Sequence, residues 1–341
     1  MAKKSQKQVS RNPRKSGKPR SPQNSGRVLA IDLGGTKILL AAVDRLGKMK
    51  DVTRERVDLA DGYPGLLRQI VRLAKPLIEK HEISHGAIAA AGPLDPVSGQ
   101  LLNPTNLKID HEFWGVVPIA RDISRALKIP VQLENDAAAA ALAESWVGQS
   151  KKYQNSVMVT LGTGLGLGVI ANGELLRAGQ HLHTEGGHVT MNYLEKDWQC
   201  GCGNYGCAEA YLSGTNFTKN VGRIWGRPNL RGEDIVVEAR SGESHAVQAF
   251  QLYGEKLATF IYSTVMLFAP EVVVMSGGFS NAHDLFLPIT EKRLSDLLKM
   301  HRAGVDMLPK LKISKFCDEA GLLGAAYVAM FRQTANLSIH H

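Results

Sequence analysis

One arrangement of residues occurs twice in this chain, once in each half: an apolar strand, a glycine turn and a second apolar strand. The first copy has strand 28–33, the turn Gly34-Gly35-Thr36-Lys37 and strand 38–43. The second has strand 157–161, the turn Gly162-Thr163-Gly164-Leu165-Gly166 and strand 167–170. Apolar runs bounded by glycine predict buried hairpins. Because 341 residues suffice for two domains, the repeat predicts two similar α/β domains.

Both glycine turns have the chemistry of a phosphate site. Such turns expose successive backbone N–H groups to an anion, and Thr36, Thr163 and Lys37 add hydroxyl donors or positive charge. Neither turn is a P-loop, because both lack Gly-Lys-Ser/Thr and precede a strand instead of a helix. Nor is the second a dinucleotide-binding fingerprint, since no helix opens after it. One such hairpin is a weak signal, whereas two predict a polyphosphate clamped between two domains.

Further candidate residues follow other predicted strands. Strand 86–91 ends at Gly92, and strand 129–133 leads through Glu134-Asn135-Asp136 into an alanine-rich helix at 137–146. Open α/β sheets place functional side chains at such strand ends. Taken alone, Asn135-Asp136 is better explained as a helix cap.

The C-terminal third shows the same alternation of strand and helix. A helix is predicted at 255–268, a strand at 272–275 and a closing helix at 319–331. Ser276-Gly277-Gly278 follows the strand and is either a tight turn or a ledge for adenosine.

Three of the four cysteines, Cys200, Cys202 and Cys207, lie within eight residues, and His188 precedes them. Zn²⁺ prefers thiolate and imidazole ligands, and four of them describe a closed structural site. The interleaved glycines Gly201, Gly203 and Gly206 would allow so tight a loop, because glycine adopts positive φ without strain. The alternatives are thiols that are close by accident, or one disulfide with a leftover thiol.

A metal there would hold His188 together with Glu185 and Glu209, which are groups that bind a polar ligand. Cys317 stands alone in the sequence, and we expect it to be a buried, small apolar residue.

The basic character of the chain is concentrated at its start. Residues 1–26 contain eight of the 41 Lys and Arg residues and no acidic residue, so the net charge of +9 belongs almost entirely to this segment. Without periodic apolar positions it is predicted to be a disordered tail, making at most weak, salt-sensitive contacts with nucleic acid. No apolar run reaches membrane-span length and no signal peptide is recognisable. Clustered cysteines favour a reducing compartment, so we expect a cytoplasmic protein with no membrane contact.

Taken together, these motifs resemble the ROK family (repressors, open reading frames, sugar kinases) of the actin/hexokinase superfamily. The resemblance covers essentially residues 28–331. The segments that carry it are Asp32–Lys37, Glu134–Asp136, Leu161–Gly166, Glu185–His188, Cys200–Glu209 and Ser276–Gly278.

The resemblance implies two ribonuclease-H-like α/β domains with sugar and ATP in the cleft between them. Residues 27–135 plus 319–335 would form the first domain, and residues 136–318 with the zinc loop would form the second. ATP would lie across the two hairpins, with Mg²⁺ on its phosphates near Asp32 and the adenosine against Ser276-Gly277-Gly278. Structural Zn²⁺ would be held by His188, Cys200, Cys202 and Cys207.

The same resemblance implies a hexose site with Asp136 as the general base. The sugar-binding residues would be Gly92, Asn135, Asp136, Glu185, His188 and Glu209, with Thr105 or Asn106 on the rim. The implied reaction is phosphorylation of a hexose, with glucose expected and N-acetylhexosamines or fructose as alternatives. A homodimer or homotetramer is expected.

A second function class, a sugar-responsive transcriptional repressor, belongs to the same family. Repressors of the family carry a winged helix-turn-helix before the sugar-binding part, which needs periodic apolar helices. The polar, basic residues before Arg27 do not have that pattern, and the first glycine turn is intact. The sequence therefore favours the kinase.

Overall fold

The structure is a computed structural model, and it describes residues 26–104, 107, 114–177, 179, 182–299 and 305–332. The predicted basic tail, except for Gly26, lies outside the described residues, as do Thr105 and Asn106. The strands are, in chain order, β1 (Val28–Leu33), β2 (Lys37–Val43), β3 (Met49–Arg56), β4 (Gly86–Ala90), β5 (Leu94–Asp95), β6 (Gln100–Leu102), β7 (Val116–Val117), β8 (Val131–Asn135), β9 (Ser156–Leu161), β10 (Leu165–Ala171), β11 (Glu174–Leu175), β12 (Val272–Ser276) and β13 (Lys310–Ile313). The helices are α1 (Gly62–His81), α2 (Ile119–Leu127), α3 (Asp136–Val147), α4 (Ala208–Leu212), α5 (Gly214–Ile224), α6 (Gly232–Arg240), α7 (Ser244–Phe268), α8 (His283–Leu298) and α9 (Ala320–Phe331).

Two five-stranded sheets share one topology, which confirms the predicted α/β fold with a repeated hairpin. The first sheet has the order β3-β2-β1-β4-β8, and the second has the order β11-β10-β9-β12-β13. In each, the hairpin is antiparallel and two further strands run parallel to its first strand. Parallel strands place their carboxyl ends at one edge, so each glycine turn shares an edge with later strand ends.

The two sheets face each other across α3 and α9. Alternate residues of β1 contribute to two cores: Leu29 and Ile31 pack on the side of α1 and α2, whereas Ala30 packs towards α9. The second sheet divides in the same way, since Val159 packs with α5–α8 and Met158 packs with α3 and α9. This period of two is the signature of a strand with both faces covered.

The C-terminal helix α9 packs against β1, β4 and α3. It therefore lies on the first sheet, where the resemblance placed it. The boundaries of two domains at 135 and 319 remain a prediction, and α3 packs against α9 as well as against β9 and β10.

Several predicted elements differ from the structure at their ends. The helix predicted at 255–268 begins earlier, at Ser244, because residues 244–254 continue its buried face. Strand β8 continues through Asn135, so α3 begins at Asp136. The prediction that Cys317 is buried is wrong: its side chain is exposed in the left-handed turn before α9. Among the described residues, no helix is long and apolar enough to span a bilayer.

Candidate active site

The first glycine turn lies at the carboxyl end of β1. The N–H of Gly34 donates to the carbonyl of Lys37 (3.0 Å) and closes the turn, so Gly35 and Thr36 are its remaining amide donors for an anion. The Lys37 ammonium pairs with Asp318 at 2.6 Å, and Arg54 lies 3.5 Å from the same carboxylate. Lys37 and Arg54 therefore place two positive charges around Asp318, beside an exposed Thr36 hydroxyl.

The second glycine turn lies at the corresponding edge of the second sheet. The Gly162 N–H donates to the carbonyl of Gly164 (3.1 Å), and Thr163 is exposed. Gly166 belongs to β10, where a side chain would meet the α3 residue Ala137 at 2.7 Å. Its missing side chain thus brings the start of α3 against the second sheet.

Ser276-Gly277-Gly278 follows β12 at this same edge. Ser276 is paired with Thr160 in the sheet, and Gly277 has φ +88° with its α-carbon against the backbone of Leu161. Only glycine fits there without strain. Gly278 has open space around it, and Gly277 contacts Leu161, directly before the second glycine turn.

Two carboxylates, Asp32 and Asp136, come from the carboxyl ends of β1 and β8 and interact electrostatically. Burial, followed by the charge of Asp136, raises the pKa of Asp32 from 3.8 to about 7, although Lys37 opposes this. Burial also raises the pKa of Asp136, against the opposing hydrogen bond from the Ala137 N–H. A raised pKa makes Asp136 a stronger base once ionised.

Asn135 caps the N-terminus of α3, directly before Asp136. Its Oδ1 accepts from the N–H groups of Ala137 and Ala138, both at 3.0 Å, and it is buried. The helix-cap explanation is therefore correct for the Asn135 side-chain oxygen, while the side chain of Asp136 remains partly exposed.

Glu185 lies beyond β10 at the start of a single 3-10 turn, Gly186–His188. Its side chain is 55% exposed, its Oε1 lies 2.8 Å from Nε2 of His183, and its Oε2 lies 3.8 Å from Nε2 of His188. The adjacent histidines lower the pKa of Glu185 although its burial acts in the opposite direction. Glu185 is therefore an ionised acceptor.

The predicted metal ligands come together. The ligand atoms of His188, Cys200, Cys202 and Cys207 all lie within 4.8 Å of one another. The Sγ atoms of Cys202 and Cys207 are 3.7 Å apart, and Cys200 Sγ is 3.6 Å from Nδ1 of His188. Zinc–sulfur bonds of about 2.3 Å in a tetrahedron put two sulfurs about 3.8 Å apart, so these residues fit the ion.

The glycines of this loop contribute unequally. Gly203 and Gly206 have positive φ, as predicted, and the α-carbon of Gly206 lies directly on the carbonyl of Asn192. The expectation for Gly201 is wrong, because its φ is not positive. Burial raises the pKa of the Cys200 and Cys207 thiols, so deprotonating them requires the positive charge of a bound cation.

Glu209 connects this loop to the second glycine turn. Its Oε2 accepts from the N–H of Leu165 at 3.0 Å, and its Oε1 accepts from the Cys200 thiol at 3.3 Å. The lack of a side chain on Gly164 makes room for the carboxylate, which a Cβ would approach to 2.7 Å. A change in the cysteine loop therefore reaches the glycine turn through one side chain.

Comparison with known proteins decides the family. The sequence model of the ROK family matches residues 28–332. The chain belongs to the ROK family. The N-acetyl-D-glucosamine kinase of Haemophilus influenzae is 32% identical over 307 residues, which is 87% of this chain and 97% of that relative.

Solved ROK structures share the fold. A ROK family glucokinase from Streptomyces griseus, solved with glucose and AMPPNP, has a TM-score of 0.75 at 27% identity and covers 89% of this chain and 99% of its own. A ROK family transcriptional regulator, a homologue of the E. coli MLC protein, has a TM-score of 0.73 at 26% identity. The match covers 89% of this chain and 78% of the regulator. The ROK fold, an actin-like ATPase fold, thus occurs in both functional classes.

Several residues of this ROK site have roles that sequence reasoning missed. Glu134 is fully buried, and its carboxylate pairs with Arg177 and with Arg332. His183 is buried behind Glu185. Neither residue belongs to a motif of recognisable spacing. The only signal in the sequence is that Glu134 follows the apolar residues of β8, because a carboxylate buried in such a strand needs charged partners.

Gly92 follows β4, the strand that pairs directly with β1, and has φ +100°. It therefore lies at the same edge of the first sheet as Asp32. A cavity of about 600 Å³ between α6, α7 and α8, lined by Phe250, Ile289 and Arg293 among others, includes none of the predicted site residues.

Proposed function

We propose that this ROK protein is a sugar kinase that transfers the γ-phosphoryl group of ATP to the primary 6-hydroxyl of a hexose. The observation that carries the proposal is the juxtaposition of the partly buried Asp136, whose pKa is raised by burial, with a second carboxylate, Asp32, at the edge that holds the first glycine turn. A base and a charged phosphate site at one edge are what phosphoryl transfer to a hydroxyl requires.

In this reaction Asp136 accepts the proton of the attacking hydroxyl. Its position at the first residue of α3 is held by the buried Asn135 cap. The amides of the two glycine turns, with Lys37, Thr36 and Thr163, bind phosphate oxygens. Asp32 would hold a bound Mg²⁺, which supplies charge neutralisation on the phosphates.

The hexose would lie against Asn135, Asp136, Glu185, His188 and Glu209, with Gly92, Thr105 and Asn106 closer to the rim. Each sugar hydroxyl both donates and accepts, and this set offers carboxylate acceptors beside amide and imidazole groups. Structural Zn²⁺ on His188 and the three clustered cysteines would fix Glu209 and the His188 ring in place without taking part in the chemistry.

We propose glucose as the preferred hexose. N-acetyl-D-glucosamine is the second candidate, because a kinase for that sugar is 32% identical to this chain. The two sugars differ at the 2-position, where a site that hydrogen-bonds the hydroxyl can reject an analogue lacking it by ~10⁴-fold, while added bulk discriminates less.

The test is ATP consumption by the full chain against a panel of glucose, N-acetylglucosamine, N-acetylmannosamine, mannose and fructose, with the Asp136→Asn variant alongside. We expect the highest kcat/KM with glucose, and a loss of about 10²–10⁴-fold in kcat for Asp136→Asn with sugar affinity within a few fold. Near-normal kcat in Asp136→Asn would refute the role of this base. A tenfold higher kcat/KM for an N-acetylhexosamine than for glucose would show that glucose is not the preferred substrate. Sugar binding without any turnover would favour a transcriptional regulator.

A further inference from the structure

His183 is a buried imidazole aimed at an exposed carboxylate. Its side chain is 5% exposed, whereas that of its partner Glu185 is 55% exposed, and Nε2 lies 2.8 Å from Glu185 Oε1. The histidine thus lies behind the carboxylate, on the protein side, and only the carboxylate reaches solvent. This arrangement holds an acceptor in one orientation, because a charge-assisted hydrogen bond is directional and strong.

The backbone that carries this pair is itself fixed. The hydroxyl of Thr184 donates to the carbonyl of Leu167 in β10 at 2.6 Å. Gly186 and Gly187 lie so close to Leu167 and Leu165 that neither position has room for a side chain. Since both ends of the segment are pinned to β10, the remaining freedom is in the Glu185 side chain, which His183 restrains.

The imidazole also interacts electrostatically with the proposed base. It opposes the rise in the pKa of Asp136 that burial causes, and it contributes to the lowered pKa of Glu185. Within the described part of the chain, its Nδ1 atom is buried and has no hydrogen-bond partner. A buried imidazole nitrogen without a partner is costly in a purely structural residue, and such groups concentrate at functional sites.

We infer that His183 is a positioning residue that holds the Glu185 carboxylate towards the hexose on the side of Asp136. The inference rests on the proposed sugar kinase function, since the hexose is what Glu185 would contact. His183 does not itself reach the cleft, so it acts on substrate binding through Glu185 and is not a catalytic residue.

Two polar variants separate this role from packing. His183→Gln keeps an N–H donor at the distance of Nε2. The side chain in His183→Asn is shorter, so its N–H donor does not reach Glu185. We expect His183→Asn to raise the KM for the hexose about tenfold or more through loss of one charge-assisted hydrogen bond, with the KM for ATP unchanged. His183→Gln should return to within about threefold of the wild type.

A double-mutant cycle with Glu185→Gln identifies the path of the effect. If His183 acts through Glu185, adding His183→Asn to Glu185→Gln raises the hexose KM no further. His245→Asn is the matched control, because His245 also pairs with a glutamate, Glu238 at 3.1 Å, but on the exposed surface of α7. That control should keep both KM values.

Additive effects in the cycle, equal losses in the Asn and Gln variants, or a rise in the KM for ATP would overturn the inference. So would a wild-type hexose KM in His183→Asn. When the wild type phosphorylates a hexose in the same assay, these results refute only the positioning role of His183 and leave the proposed function standing. A wild type that phosphorylates none refutes the proposed function, and the inference with it.

Discussion

Asp32 and Asp136 place two carboxylates at one sheet edge with little compensating charge. Among the groups that act on Asp32, Lys37 alone lowers its pKa, and that ammonium is also paired with Asp318. The fold therefore holds Asp32 in an environment that disfavours its ionised form. Such an environment is useful where a cation is to be bound, and it reduces the stability of the protein without one.

The pH dependence of stability follows from the raised pKa of Asp32. The unfolded chain ionises near 3.8 and the folded chain near about 7, so the folded state binds more protons between these values. The contribution to folding free energy therefore becomes less favourable as pH rises from about 4 to about 7, and the cost is complete above about 7.

Asp32→Asn removes this cost and should raise the Tm at pH 8 more than at pH 5, measured by differential scanning fluorimetry without divalent cations. Asp284→Asn is a control of opposite sign, because Arg240 lowers the pKa of Asp284 and its neutralisation should lower the Tm slightly at pH 8. A gain in Tm for Asp32→Asn that is equal at both pH values would show that its ionisation is not the cause.

At the scale of elements, the loop 188–209 carries the proposed zinc ligands on very little regular structure. It is held by isolated bridges between Thr190 and Cys207 and between Gln199 and Tyr205. Backbone hydrogen bonds within the loop, such as that from the Met191 N–H to the Gly206 carbonyl at 2.7 Å, add to its order, and a bound metal ion would add further. Glu209 then transmits that order to the second glycine turn through the Leu165 N–H.

Cys202→Ser should lose zinc and weaken hexose binding together, because the loop that positions Glu209 and His188 would slacken. We expect about one zinc per wild-type chain by elemental analysis, and a substoichiometric amount in the variant. Cys317→Ser is the matched control: that thiol is exposed and is not part of the cluster, so zinc content and kinetics should be unchanged. Full activity in a zinc-free wild-type preparation would contradict the structural role.

At the scale of the whole molecule, α3 and α9 separate the two sheets and make them one body. They cross where Gly324 lies directly against the Ala139 backbone, so close that no Cβ fits. Both helices begin at the candidate site, α3 with Asp136 and α9 beside Asp32, which a Cβ on Gly321 would approach to 2.9 Å. Asp32 lies on β1 and Asp136 follows β8, with β4 between these strands, so both helices start at the sheet edge that carries the two carboxylates.

Gly324→Ala should lower the free energy of unfolding by about 1–3 kcal/mol, the cost of forcing a methyl group into a close-packed contact with backbone. Urea denaturation measures the loss. Gln251→Ala, on an exposed position of α7, is the control and should change stability by no more than ~0.5 kcal/mol. An unchanged midpoint in Gly324→Ala would mean that the two helices can move apart freely.

The sequence by itself determined the repeated hairpins, the α/β class and the four clustered ligands, because each depends on residues that are near in the chain. Apolar runs bounded by glycine, the glycines Gly203 and Gly206, and the spacing of Cys200, Cys202 and Cys207 are local signals. Only the tertiary structure decided the partners of Glu134, the burial of His183 behind Glu185 and the exposure of Cys317. Burial and long-range pairing depend on which elements pack together. That is determined by the hydrophobic packing of α3 and α9 between the sheets, which no local pattern in the sequence encodes.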